Sequence, residues 1–106
     1  MANLMKLMKQ AASMQKDIER IQREVGETIV EFSSGGGMVT VKARGNGSVV
    51  SIKIDPRIVD PQDVEMLEDS VKAAVDGALT EARDLMTKEM GKATSGFNVP
   101  GLGGIA

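Results

Sequence analysis

The chain has 106 residues and a formal net charge of −2, with no cysteine, histidine, tyrosine or tryptophan and only two phenylalanines. That length allows one domain around a single modest core, which must be aliphatic and methionine-rich. The missing side chains exclude disulfides and thiolate metal sites, and they remove three of the four usual sources of acid and base catalysis near neutral pH. The composition therefore predicts a binding protein, not an enzyme. No apolar run approaches the roughly 18 residues of a membrane span, and the sequence predicts a soluble, cytoplasmic protein with no membrane partner. Charge is polarised along the chain: residues 1–25 carry +2, residues 26–61 balance, and residues 62–106 carry −4. Such a surface can hold an anion at one end and repel it at the other, so the acidic balance does not exclude a nucleic-acid partner.

The first predicted element is a helix over residues 4–25. Leu4, Leu7, Ala11, Met14, Ile18, Ile21 and Val25 recur at steps of three and four, a heptad seam that calls for a second helix. On the opposite face Lys6, Lys9, Lys16, Arg20 and Arg23 fall within an arc of about a right angle. A rod of this length, roughly 33 Å, must protrude from a small domain or be matched by something equally long. Gly26 ends the pattern and the period becomes two. A first strand over 27–33 points Thr28, Val30 and Phe32 to one face; a second over 38–44 points Val39, Val41 and Ala43 inward; a third over 48–54 points Val50, Ile52 and Ile54 inward. Glycines at 35–37 and Gly45-Asn46-Gly47 supply the turns, the latter as positive-φ residues of a tight hairpin. The strands make an antiparallel meander, with Glu27 and Glu31 facing Lys42, Arg44 and Lys53 on its outer side.

Asp55-Pro56 stops the third strand. Asp60 then reads as an N-cap with Pro61 at the first helical position, opening a second helix to about residue 92. Gly77 within it marks a close crossing or a bend. The helix overshoots the sheet, so its far half pairs with the first helix as an antiparallel arm. A thin two-layer subunit with an open sheet edge predicts a homodimer. The domain covers 1–93, and 94–106 reads as a flexible Gly-rich tail.

Candidate chemistry is sparse. The glycines at 35–37 precede a strand and lack the Gly-Lys-Ser/Thr of a phosphate loop. Asp55, Asp60 and Asp63 match no calcium loop and suit turn and capping duty. No cofactor, metal or small-molecule substrate is expected. The cationic stripe has a bland reading, the solvated back of a coiled coil. Against it stands segregation: Asp17, Glu19 and Glu24 flank the arc. A protruding rod with one cationic edge fits duplex DNA, and the scarcity of aromatic rings disfavours single strands. The competing reading is a module that clasps a partner protein through Met5, Met8 and Met66.

Several stretches together resemble the YbaB/EbfC family of bacterial nucleoid-associated proteins. They are Leu7-Met8-Lys9-Gln10-Ala11 with Met14-Gln15, Gly37-x-Val39-x-Val41, Gly47 followed by Val49, Val50, Ile52 and Ile54-Asp55-Pro56, and Glu65-Met66-Leu67-Glu68-Asp69 leading to Val71 and Ala73-Ala74. The resemblance implies an α+β fold with an α-β-β-β-α subunit and a tweezers-like homodimer with helical arms. It also implies DNA binding that bends or compacts the duplex in the nucleoid and influences gene expression. It places DNA contacts on the arms, which among matched positions means Lys9; Lys6, Lys16, Arg20 and Arg23 come from the stripe.

Overall fold

A long helix leads into a meander, and a longer helix returns across it. The computed structural model describes residues 2–94, in the order α1 (Ala2–Glu27), β1 (Ile29–Ser34), β2 (Val39–Arg44), β3 (Val49–Ile54), a short 3-10 turn (Pro56–Ile58) and α2 (Val64–Thr94). The strands form one antiparallel sheet in the order β1-β2-β3. The expected tail, Thr94 apart, lies outside the described residues. With a radius of gyration of 20.1 Å the subunit is elongated, since a compact chain of this length would have about 13 Å.

The core is small and made of short side chains. Val39, Val41 and Ala43 of β2 are fully buried beneath Ala74 and Ala78 of α2, with Val30, Phe32, Val71, Val75 and Leu79 packed around them, and Ala82 is buried one turn further along α2. Alanine at every fourth position lets the helix axis come close to the sheet. Gly77 is the close crossing: a Cβ there would stand 2.2 Å from Cδ1 of Phe32, so the ring of β1 occupies the space a side chain would need. The outer face follows the expected charge matching, with Glu31 opposite Lys42 in the register and Arg44 Nε 3.7 Å from Glu27.

Two expectations are corrected. The third strand does not bury its inner face within the chain: Val50 and Ile52 are 39% and 46% exposed, and only Ile54 is half-buried against the core. A helix about 10 Å across covers two strands spaced about 4.8 Å apart, and α2 sits over β1 and β2. An irregularity between Lys42 and Ala43 also shifts the register, so that Val49 faces Ala43 and joins Ile52 and Ile54 on the inner side.

The second helix starts three residues later than the Asp60 and Pro61 pattern predicts. Asp60 caps a tight turn, its side chain accepting from Gln62 N–H at 2.9 Å and its carbonyl from Asp63 N–H at 3.0 Å. Asp63 takes over as the helix cap, accepting from Met66 N–H at 3.3 Å. Asp followed by Pro suits a turn as well as a cap, and the second aspartate three residues on made the turn possible.

Candidate nucleic-acid interface

The candidate surface is the exposed side of α1, and its use depends on how firmly α1 is held at its base. The helix ends where Thr28 closes it: Thr28 N–H donates to Val25 O at 3.0 Å and its hydroxyl to Glu24 O at 2.8 Å. The β2–β3 hairpin then grips this end. Gly45 N–H donates to Thr28 O at 2.9 Å and Asn46 N–H to Gly26 O at 3.3 Å. Gly45 is required for contact and not for its φ: a Cβ there would be 2.0 Å from Val25 O, whereas Gly47 alone in this turn has a left-handed φ, +90°. The Gly-Asn-Gly sequence signalled a turn but not the packing against α1.

From that base α1 runs away from the sheet with α2 beside it. Leu79, Arg83 and Met86 of α2 line a recess with Gly45, Asn46 and Gly47 at the base, and from there α2 packs along α1, with Met14 of α1 and Met90 and Ala93 of α2 half-buried. The two helices are therefore antiparallel in sequence, as the seam predicted. Ile21 is buried, and Val25, Ile18 and Met14 are half-buried; Ala11, Leu7 and Leu4 are exposed.

The five stripe cations all lie exposed on α1, opposite the seam. Arg20 is held by its own helix: its guanidinium is 3.2 Å from Glu24 and 3.8 Å from Asp17. Two of the flanking carboxylates thus reach the stripe at this one position, because spacings of three and four residues bring side chains together on a helix. Lys6, Lys9, Lys16 and Arg23 have no ion pair or hydrogen bond with any of the described residues. Desolvating Arg20 for another anion means competing with Glu24, whereas the other four present uncompensated charge at the surface. Since α2 packs on the seam side, its carboxylates are kept from the lysine face of α1.

Asp55 and Asp76 are engaged by cations elsewhere in the fold. Asp55 accepts from Arg57 N–H at 2.9 Å and pairs with its guanidinium at 2.8 Å, which holds the Asp55 carboxyl below the ordinary carboxylate range and raises the Arg57 pKa. Asp76 bonds Lys72 at 2.8 Å and raises its pKa. Among the described residues no group of three or more His, Cys, Asp or Glu is placed to hold a metal ion, and no helix is long and apolar enough to cross a membrane.

Known proteins are similar to this chain in sequence and in fold. A crystal structure of an uncharacterised Helicobacter pylori protein superposes with a TM-score of 0.65, covering 77% of this chain and 86% of that one at 24% identity, a likeness of fold. A nucleoid-associated protein of Alkaliphilus metalliredigens is 51% identical over 100 residues, covering 94% of this chain and 88% of the relative. A nucleoid-associated protein of Pelotomaculum thermopropionicum is 48% identical over 100 residues, covering 94% and 95%. The model of the YbaB/EbfC DNA-binding family matches residues 1–97. With a cationic lever on an α-β-β-β-α subunit and relatives alike over nearly its whole length, this chain belongs to the YbaB/EbfC DNA-binding family of nucleoid-associated proteins.

Proposed function

We propose that the protein acts in the bacterial nucleoid as a homodimer that binds duplex DNA through phosphate contacts from its helical arms. The observation that carries this reading is the face of α1 where Lys6, Lys9, Lys16 and Arg23 stand exposed and unpaired among the described residues, with Arg20 between them tied to Glu24. Charge spaced along a rigid rod follows a phosphate backbone without reading base edges, so sequence preference is weak and comes from duplex shape. Two arms gripping one duplex favour bent or compacted DNA, and through it an effect on gene expression.

Dimerisation is supported by the uncovered inner side of β3. Val49, Val50 and Ile52 form an apolar strip on an edge strand, 42%, 39% and 46% exposed, which a two-fold mate would cover. Ile52→Asp is expected to halve the molar mass measured by light scattering. A variant that remains dimeric places the interface elsewhere.

The DNA reading is tested by reversing Lys6, Lys9 and Lys16 to Glu in one chain. Gel-shift affinity for duplex DNA is expected to fall by at least about tenfold, with the circular dichroism spectrum and molar mass unchanged. Four unpaired cations on each of two arms also set a ceiling of about −7 on the slope of log affinity against log salt, at about −0.9 per phosphate. Unaltered binding by the reversed variant removes the stripe from the interface. The protein-clasping alternative draws on the exposure of Met5 and Met8, 65% and 63%; binding that ignores salt and is lost in Met8→Asp would favour it.

A further inference from the structure

Met5 and Met8 are 65% and 63% exposed on α1 and belong neither to the heptad seam nor to the set of cations. Met5 precedes Arg23 by about five full turns, so the two occupy the same angular position, at one border of the cationic arc. Lys9 stands about one turn beyond Met5 and Lys16 about two turns beyond Lys9, which places an apolar side chain at the head of a row of cations. Met8 adjoins Met5 at a spacing of three, one step nearer the seam. Neither methionine is among the side chains packed on the core. No carboxylate occurs from Ala2 to Lys16, the first being Asp17.

Resting on the DNA reading above, we propose that Met5 and Met8 are wedges, which enter the minor groove, open a base step and so produce the bend. A helix about 10 Å across is too wide for a minor groove of about 6 Å, so α1 rides on the rim and only side chains reach in. Lys9 lies about 6 Å along the axis from Met5, which is about two base-pair rises. A phosphate held by Lys9 therefore brings Met5 over the neighbouring base edges. Lys6 and Lys9 supply the attraction, and this stretch of α1 has no carboxylate to repel the phosphates on either side. Methionine suits the task because its unbranched, polarisable side chain adapts to an irregular gap, and apolar side chains of this kind unstack base steps in kinked duplexes. Burial of the methionines offsets the cost of unstacking, so the wedge changes the shape of the complex more than its affinity. Flexible pyrimidine–purine steps such as TA open most easily and are the expected positions. A protein partner is the weaker occupant of this surface, because an apolar protein face would have to desolvate Lys6 and Lys9 beside the methionines, whereas a duplex offers them phosphates.

The test uses the full chain and a duplex of alternating T and A in which a central adenine is replaced by 2-aminopurine, whose emission rises when its neighbours unstack. At saturation the unaltered chain is expected to raise that emission by at least about twofold and to shorten the end-to-end distance read by energy transfer between terminal dyes. Met5→Gln combined with Met8→Gln keeps the helix propensity and removes the apolar surface. This variant is expected to abolish both signals, with gel-shift affinity changed by no more than about threefold and the circular dichroism spectrum unaltered. Met5→Leu combined with Met8→Leu is expected to retain both signals. A gel-shifted complex whose emission and end-to-end distance equal those of the free duplex overturns the wedge and leaves the DNA reading standing. A Gln variant that keeps both signals does the same. Absence of any gel shift with the unaltered chain overturns the wedge and the DNA reading together.

Discussion

From Met14 to Val25 the seam of α1 is covered and Ile21 falls to 6% exposure, while Leu4 on the same heptad register stands at 60%. The cations divide in a parallel way: Arg20, near the base, is engaged by Glu24 and Asp17, and Lys6 and Lys9, on the free half, meet no carboxylate among the described residues. One continuous sequence pattern therefore serves two purposes. The base uses the seam to fix the direction of the helix, and the free half uses the stripe to present charge. Rigidity at one end makes exposure at the other useful, because a cation on a frayed helix would spend its attraction on ordering the chain.

The sharpest way to break this contrast is to unseat the base. Gly45→Ala places a Cβ 2.0 Å from the Val25 carbonyl oxygen, a backbone atom that cannot swing aside. A loss of about 3 kcal/mol is expected from the strain, read as a shift of the urea midpoint. A wild-type midpoint would mean the hairpin does not clamp α1.

The next largest effect separates the two halves of the seam directly. Ile21→Ala is expected to cost about 2 kcal/mol, the low end for a buried isoleucine near the surface of a thin core. Leu7→Ala is expected to change global stability by no more than about 0.5 kcal/mol. Equal losses at the two positions would show that the free half is as firmly packed as the base.

The smallest effect lies at the far corner of the sheet and is visible in its pH dependence. Arg57 bonds lower the Asp55 pKa on folding, so the pair contributes stability above the unfolded pKa and loses it as pH falls through the folded one. Asp55→Asn is expected to melt slightly below the wild type at neutral pH, with the difference closing below about pH 4. A gap that persists in acid would assign the effect to the lost turn cap instead of the charge. The cationic stripe of α1 should be indifferent to this change.

Much of the architecture could be read directly. Heptad spacing identified α1 and its helical partner, alternation identified the three strands and their order, and Phe32 and Gly77 both fell where a face and a crossing were expected. Alternation shows that the inner face of β3 is apolar but not that it is covered, since it reports which side residues occupy and not whether a neighbour is wide enough to reach them. Gly45 looks like a turn residue in the sequence because a missing side chain looks the same whether it permits a left-handed φ or admits a carbonyl from elsewhere. Arg20 is indistinguishable from the other cations in the sequence because position on a wheel does not reveal which side chain bends toward its neighbour.

Local spacing along the chain was enough to specify the helices, the strands, the seam and the face that carries the cations, because each depends on periodicity within a few turns or residues. How far α2 reaches along α1, which strand it leaves bare, where the hairpin locks the lever and which cations stay unpaired all arose from packing, because each depends on distances between segments far apart in sequence.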